Sequence, residues 1–150
     1  MKKFSFKLDH VMQARKAKED EALSVLADRQ RKYQAEIARR EELRETLSQS
    51  LLRREKLGSS PTEISEFQME QAFIQGTKQR MIQADQVIFR ASREVEKALR
   101  NYLVMKKRAM AIETLRDRAF QDYKKERAKN EQRNLDDLVL MRSRLSEELK

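Results

Sequence analysis

The residues that could carry out catalysis are few and scattered. His10 is the only histidine and the chain has no cysteine. A histidine-based metal cluster is therefore excluded, as are disulfides and thiolate chemistry. His10 lies in the first turn of the predicted helix 1 and is better explained as a solvated histidine than as the base of a Ser-His-Asp triad. The acidic pairs at 41–42, 136–137 and 147–148 are sequence neighbours. Neighbours on a helix point about 100° apart, and no shielded pocket is indicated that could tune them for acid–base work. We expect no enzymatic activity and no metal or cofactor.

Phosphate recognition is also poorly supported. The two glycines, Gly58 and Gly76, are too few for a Gly-rich phosphate loop, and no Gly-Lys-Ser/Thr sequence occurs. The net charge of +9 favours acidic partners. However, the basic runs are short and acidic residues lie beside them, as on a solvated helix face. Neither a base-reading motif nor a dense basic region before a zipper is present. We expect no nucleic-acid partner.

The chain contains no membrane-spanning pattern. No stretch approaches the roughly 18 to 20 apolar residues that a span needs. Residues 1–10 are basic but soon charged again, without the apolar core of a signal peptide. The absence of cysteine is compatible with a reducing compartment. These features predict a cytoplasmic protein with no direct membrane insertion.

Composition favours long helices over a globular core. Charged residues make up 39% of the 150 residues, with two Gly, one Pro and no Trp. A compact domain of this length hides most of its surface, and this composition leaves too few residues to line such an interior. Abundant helix formers with almost no breakers instead suit helices with narrow apolar seams.

One break divides the chain, at residues 57–63. Gly58 can take the left-handed conformation that closes a helix. Ser60 and Glu63 have the spacing of a capping box, with Pro61 at the first helical position. We therefore predict an all-α fold, an antiparallel two-helix coiled-coil hairpin with a longer second helix, as one domain over 1–150. Helix 1 covers about 9–57, the turn 58–61 and helix 2 about 62–148.

Two sets of mostly apolar residues recur at heptad spacing along helix 2, as in a coiled coil. One set is Phe67, Ile74, Met81, Ile88, Val95, Tyr102 and Ala109, and the second is Glu70, Thr77, Ala84, Ala91, Ala98, Met105, Ile112 and Ala119. Helix 1 has a less regular seam, interrupted by Gln30, Arg40 and Arg44: Ala22, Leu23, Leu26, Tyr33, Ile37, Leu47 and Leu51. Arginines in a seam are tolerated when the stem packs and the head reaches solvent.

The predicted helices differ in length. A turn centred near Ser59 and Ser60 sets position 8 opposite about 111, which leaves helix 2 unpaired from Ile112 onward. This part still carries apolar residues that could bind a partner, self-associate or fold back on the first residues: Leu115, Ala119, Tyr123, Leu135, Leu138, Met141, Leu145 and Leu149.

Both ends of the chain resemble the FliJ family of flagellar export proteins. The family's opening pattern of alternating Phe, then Leu, an apolar residue, Arg and Glu matches Phe4, Phe6, Leu8, Val11, Arg15 and Glu19. Its late block is similar to 115–118, Tyr123 and 131–137, with Asp137 where Glu is common. The stretches 73–75 and 95–118 also fit.

The resemblance implies a stalk like the central gamma subunit of rotary ATPases. Such a protein is a non-enzymatic stalk and general chaperone of type III protein export, held peripherally at the inner membrane through the export apparatus. Its implied partners are the export ATPase hexamer, the membrane-embedded export gate protein and export chaperones. The residues that it assigns to the ATPase end are Phe4, Phe6, Leu8, Val11, Leu115, Tyr123, Leu135, Asp136 and Asp137.

The resemblance also implies a gate contact near the turn. Phe67 and Ile74 belong to the predicted seam and are better explained by packing, whereas Phe73 lies outside both seam sets and is the candidate for the gate. Two alternatives remain open: the stalk of a virulence type III injectisome, and a self-associating structural coiled coil.

Overall fold

The computed structural model describes residues 3–148. They form two helices, α1 (Asp9–Gly58) and α2 (Ile64–Glu148), with non-helical segments at 3–8 and 59–63. Side chains of α1 contact side chains of α2, as in the ion pairs of Arg40 with Asp85 and of Arg53 with Glu70. The prediction of an all-α two-helix hairpin with a longer second helix is confirmed. Helix 2 begins two residues later than expected.

The turn is built differently from the predicted capping box. Gly58 is the last residue of α1, and no described glycine has a positive φ. The end of α1 is instead closed by serines, because Ser59 N, Ser59 Oγ and Ser60 Oγ all donate to the Lys56 carbonyl, at 3.3, 3.0 and 3.0 Å. Ser60 therefore serves α1, and Glu63, the residue before α2, accepts from Phe67 N at 3.4 Å through its carbonyl.

The heptad seam of α2 faces the hairpin interior. Ile74 and Thr77 are fully buried, and every other member except Phe67 is buried or half-buried. The small seam residues Ala84 and Ala98 are each only 8% exposed. Phe67 is 40% exposed, and its ring lies over Gly58, where a Cβ would be 4.0 Å from Cε2.

The α1 seam is partly as predicted. Ala22 and Leu26 are buried, but Leu23 points outward with 46% of its surface exposed. Adjacent positions on a helix diverge by about 100°, so Ala22 and Leu23 cannot both face α2. Arg40, which interrupts the predicted seam, is half-buried, and its Nε donates to Asp85 Oδ1 at 2.8 Å.

Contacts between Cα atoms group the residues into two compact units. The terminal unit consists of Met1–Glu19 and Met105–Lys150, and the turn unit of Asp20–Val104. In the turn unit, Arg53 and Arg54 of α1 reach Glu70 and Gln71 of α2. In the terminal unit, Lys16 pairs with Glu113 at 2.8 Å. The single domain over 1–150 stays a prediction.

We expect Gly76→Ala to stabilise the hairpin by about 0.5 to 1 kcal/mol, because glycine inside a helix costs conformational entropy. An added Cβ would have Arg80 Nη2 as its nearest neighbour, at an ordinary 3.9 Å. Chemical denaturation followed by circular dichroism measures the change. A loss of stability would show that this glycine is needed for a close approach.

Candidate partner-binding site

The first described residues lie along α2 in the terminal unit. Residues 3–8 precede α1 and form one wall of a groove, whose other wall is residues 115–126 of α2. The groove has a volume of about 840 Å³. Asp9 N donates to the Phe6 carbonyl at 3.1 Å and Met12 N to the Leu8 carbonyl at 2.9 Å, so a turn joins this segment directly to α1.

An aromatic cluster holds the segment in place. The Phe4 ring contacts Phe120 edge-on at 5.1 Å between centroids and Tyr123 at 5.5 Å. Phe120 and Tyr123 lie three residues apart on α2, and their rings are 6.5 Å apart. Lys124 Nζ lies 4.6 Å from the centre of the Phe120 ring, within cation–π distance. Aromatic pairs of this geometry add about 0.5 to 1.5 kcal/mol each beyond burial.

Five residues that the resemblance assigned to one surface line this groove: Phe4, Phe6, Leu8, Leu115 and Tyr123. Val11 does not line it and is 39% exposed on the first turns of α1. The sequence interpretation missed Phe120. Its position three residues before Tyr123, on the same helix face, was the available signal.

The predicted start of the unpaired part of α2 is wrong. Ile112 is buried, and Leu8 lies in the groove with Leu115 rather than opposite 111. The five-residue connection 59–63 is longer than the predicted turn, which moves the register toward higher numbers on α2. Residues 3–8 then cover α2 as far as Glu126. Of the described side chains, those from Lys124 to Glu147 are all exposed.

The exposed part of α2 has an apolar face. Leu135, Asp136 and Asp137 lie here, away from the groove, and the Leu135 side chain is 58% exposed. At 100° per residue, one side of the helix collects Leu135, Leu138, Val139, Met141 and Leu145, each between 58% and 67% exposed. Asp136 and Asp137 project to either side of this face. Asp136 Oδ1 accepts from Gln132 Nε2 at 3.0 Å.

Nearly all of the excess charge belongs to the terminal unit. Its segments carry 19 Lys and Arg against 11 Asp and Glu, a net +8, whereas the turn unit has 15 against 14. The Lys16 ammonium donates to Glu113 Oε1 at 2.8 Å, and this hydrogen bond raises the pKa of Lys16 above its usual value. Hydrogen bonding to Glu131 likewise raises the pKa of Arg127.

Phe73 lies in the turn unit, in a groove near the turn. It is 38% exposed and shares the groove with Leu57, Met69 and the ion pair of Arg53 with Glu70, whose atoms are 3.4 Å apart. Arg80 lies over its ring at 5.9 Å. Ile74, its neighbour in sequence, is fully buried.

Residues 3–148 provide neither a metal site nor a membrane span. No group of three or more His, Asp or Glu side chains there could hold a metal ion. Neither α1 nor α2, within that range, contains a stretch long and apolar enough to cross a membrane.

The comparisons with known proteins agree on this architecture. The family model described as flagellar FliJ protein matches residues 4–148. A solved structure from Chlamydia trachomatis, described as a YscO homolog, aligns with a TM-score of 0.55 over 99% of this chain and 100% of its own, at 15% identity. At that identity the likeness concerns the fold. No curated protein matches the chain.

Proposed function

Because the chain belongs to the flagellar FliJ family, a non-enzymatic structural component of the export apparatus, we propose that it is the stalk and general chaperone of flagellar type III export. In this role the terminal unit engages the export ATPase hexamer. The protein works on the cytoplasmic side and is held at the inner membrane through the apparatus. Its further partners are the export gate protein and export chaperones.

The observation that carries the proposal is the combination of a groove and an exposed helix in one unit. The groove presents Phe4, Phe6, Leu8, Leu115 and Tyr123, and α2 beyond Glu126 has no covering side chain among the described residues. Five exposed apolar side chains on one side of a helix are a candidate contact for a partner, even with Arg142 among them. Insertion into a ring lumen would bury it on all sides.

The remaining assigned residues complete the contact. Leu135 contributes to the apolar face, and the carboxylates of Asp136 and Asp137 flank it, where they would meet cations of the ring. Val11 extends the surface onto α1. Under the same proposal, Phe73 and the groove around it bind the gate protein, since an exposed aromatic ring beside a covered seam is typical of a binding hot spot.

The proposal is tested by the turnover of purified export ATPase with and without this protein. We expect the wild-type chain to raise the rate. The variant Phe4→Ala/Phe6→Ala/Leu8→Ala should need about ten-fold more protein for the same effect, as when hot-spot side chains are truncated. These residues precede α1, so the variant keeps its helices, which circular dichroism verifies.

A matched control removes three exposed apolar side chains from the turn unit. Ile82, Phe89 and Leu99 are 53%, 60% and 43% exposed, and their replacement by alanine should leave the stimulation unchanged. No stimulation by the wild-type chain, or equal loss in both variants, would contradict the proposal. Sedimentation equilibrium separates it from the self-associating coiled coil, which would give stable dimers or filaments.

A further inference from the structure

The terminal unit contains a second concave feature, which we call the basic notch. It is lined by Arg15 and Lys18 of α1 and by Met105 and Arg108 of α2, with a volume of about 260 Å³. Three of its four side chains are cationic. The two α1 residues precede the two α2 residues by about 90 positions in the sequence, so it is the hairpin fold that brings them together. None of them belongs to the surface proposed for the ATPase ring.

Arg15 is joined to α2 at the notch by one hydrogen bond. The residue is half-buried, and Nη1 donates to the Arg108 carbonyl at 3.0 Å. A guanidinium has five N–H donors, so this bond leaves four donors for another acceptor. A bidentate carboxylate or phosphate matches the fork of donors that a guanidinium presents.

The positive charges of the notch have no ion-pair partner among the described residues. Among residues 3–148, neither Arg15, Lys18 nor Arg108 forms an ion pair. The adjacent Lys16, by contrast, pairs with Glu113 at 2.8 Å. Like charges in one concavity repel each other, and an external anion would remove that repulsion.

We propose that the basic notch binds the carboxylates of an acidic peptide segment that also carries an apolar side chain. Arg15 takes one carboxylate bidentately, Lys18 and Arg108 take neighbouring ones, and Met105 provides the apolar floor on which the peptide's apolar residue packs. The net +8 of the terminal unit attracts such a segment from a distance.

A peptide fits better than a nucleic acid. Glu19 follows Lys18 directly in the sequence, and Glu113 is paired with Lys16 at 2.8 Å, so acidic groups are interspersed with the cations of this region, which does not suit a phosphate backbone. The thioether of Met105 suits an aliphatic side chain. The inference goes beyond the proposed function, because it concerns a surface that the ring contact does not use.

The test measures binding of a fluorescent Glu-Glu-Leu-Glu-Glu peptide to the full chain by anisotropy, at about 0.15 M salt to screen distant charges. We expect Lys18→Gln/Arg108→Gln to weaken binding about ten-fold. Arg15→Lys, which keeps the charge but loses the fork, should weaken it about three-fold. Both residues of the double variant are exposed, so the helices stay intact.

The control Lys78→Gln/Arg90→Gln removes the same charge from exposed positions of the turn unit and should leave the affinity unchanged. Equal weakening in this control would overturn the proposal, since binding would then depend on net charge alone. Tighter binding of a DNA oligonucleotide of equal charge, lost in the notch variant, would also overturn it. Because the binding assay contains no ATPase, a failure of the basic-notch proposal is distinguishable from a failure of the stalk proposal.

Discussion

Replacing Ile74 by aspartate should destroy most of the stability of the hairpin. Ile74 is fully buried in the α2 seam, and the substitution removes its apolar packing and places a carboxylate in that buried position. We expect a loss of about 4 kcal/mol or more and a fall of the thermal midpoint by roughly 10 °C or more. Thermal unfolding followed by circular dichroism at 222 nm measures both.

Ile82→Asp is the matched control for this experiment. It makes the same chemical change on the same helix, but Ile82 is 53% exposed. Its cost should stay below about 1 kcal/mol, the difference in helix propensity. If Ile74→Asp were no more damaging than Ile82→Asp, the heptad seam would not be the interior of the hairpin.

The second large effect is expected from truncating α2, which should abolish the stimulation of the export ATPase while leaving the free energy of unfolding nearly unchanged. A chain that ends at Glu126 loses the part of α2 whose described side chains are all exposed. Because these residues bury nothing inside the molecule, the free energy of unfolding should change by less than about 1 kcal/mol. The stimulation of the export ATPase should nevertheless disappear, since the apolar face from Leu135 to Leu145 is gone.

The unchanged stability and the lost stimulation are two separate expectations, and each can be contradicted. A truncated chain that unfolds several kcal/mol more easily would mean that residues 127–147 pack onto the hairpin in solution. A truncated chain that still stimulates the ATPase fully would remove the exposed helix from the proposed contact and leave the groove alone. Denaturant titration and turnover measurements on the same preparation separate the two cases.

The sequence predicts the seam of α2 well, because helical spacing alone decides which side chains share a face. Ile74, Ala84 and Ile112 are buried as the heptads require. The same reasoning cannot decide between adjacent positions where both are apolar, and Ala22 is buried whereas Leu23 is exposed. Which of the two faces α2 depends on the register of the partner helix, which is not encoded locally.

The turn shows where local signals mislead. Gly58, Ser60 and Glu63 satisfy the pattern of a stop followed by a capping box, but Ser60 Oγ donates to the Lys56 carbonyl instead. Serine can cap either neighbouring helix, and the pattern does not say which. The resulting five-residue connection shifts the register, so the exposed part of α2 begins later than the predicted Ile112.

The site illustrates a similar limit. The family resemblance assigned Phe4 and Tyr123 to one surface, but helical spacing alone gave no register to show which residues Phe4 contacts. In the structure the Phe4 ring contacts Tyr123 at 5.5 Å and also Phe120 at 5.1 Å, and Phe120 was not predicted. The basic notch likewise depends on α1 and α2 meeting at Arg15 and Arg108. Sequence patterns showed the cations as scattered.

Amide hydrogen exchange of the full chain, with and without the export ATPase hexamer, tests the central claim most directly. We predict that the hexamer slows exchange in residues 3–8 and 127–147, while residues 59–63 of the turn exchange as before. Slowing that is confined to the turn unit, in a mixture where the ATPase rate has risen, would contradict the assignment of the terminal unit to the ring.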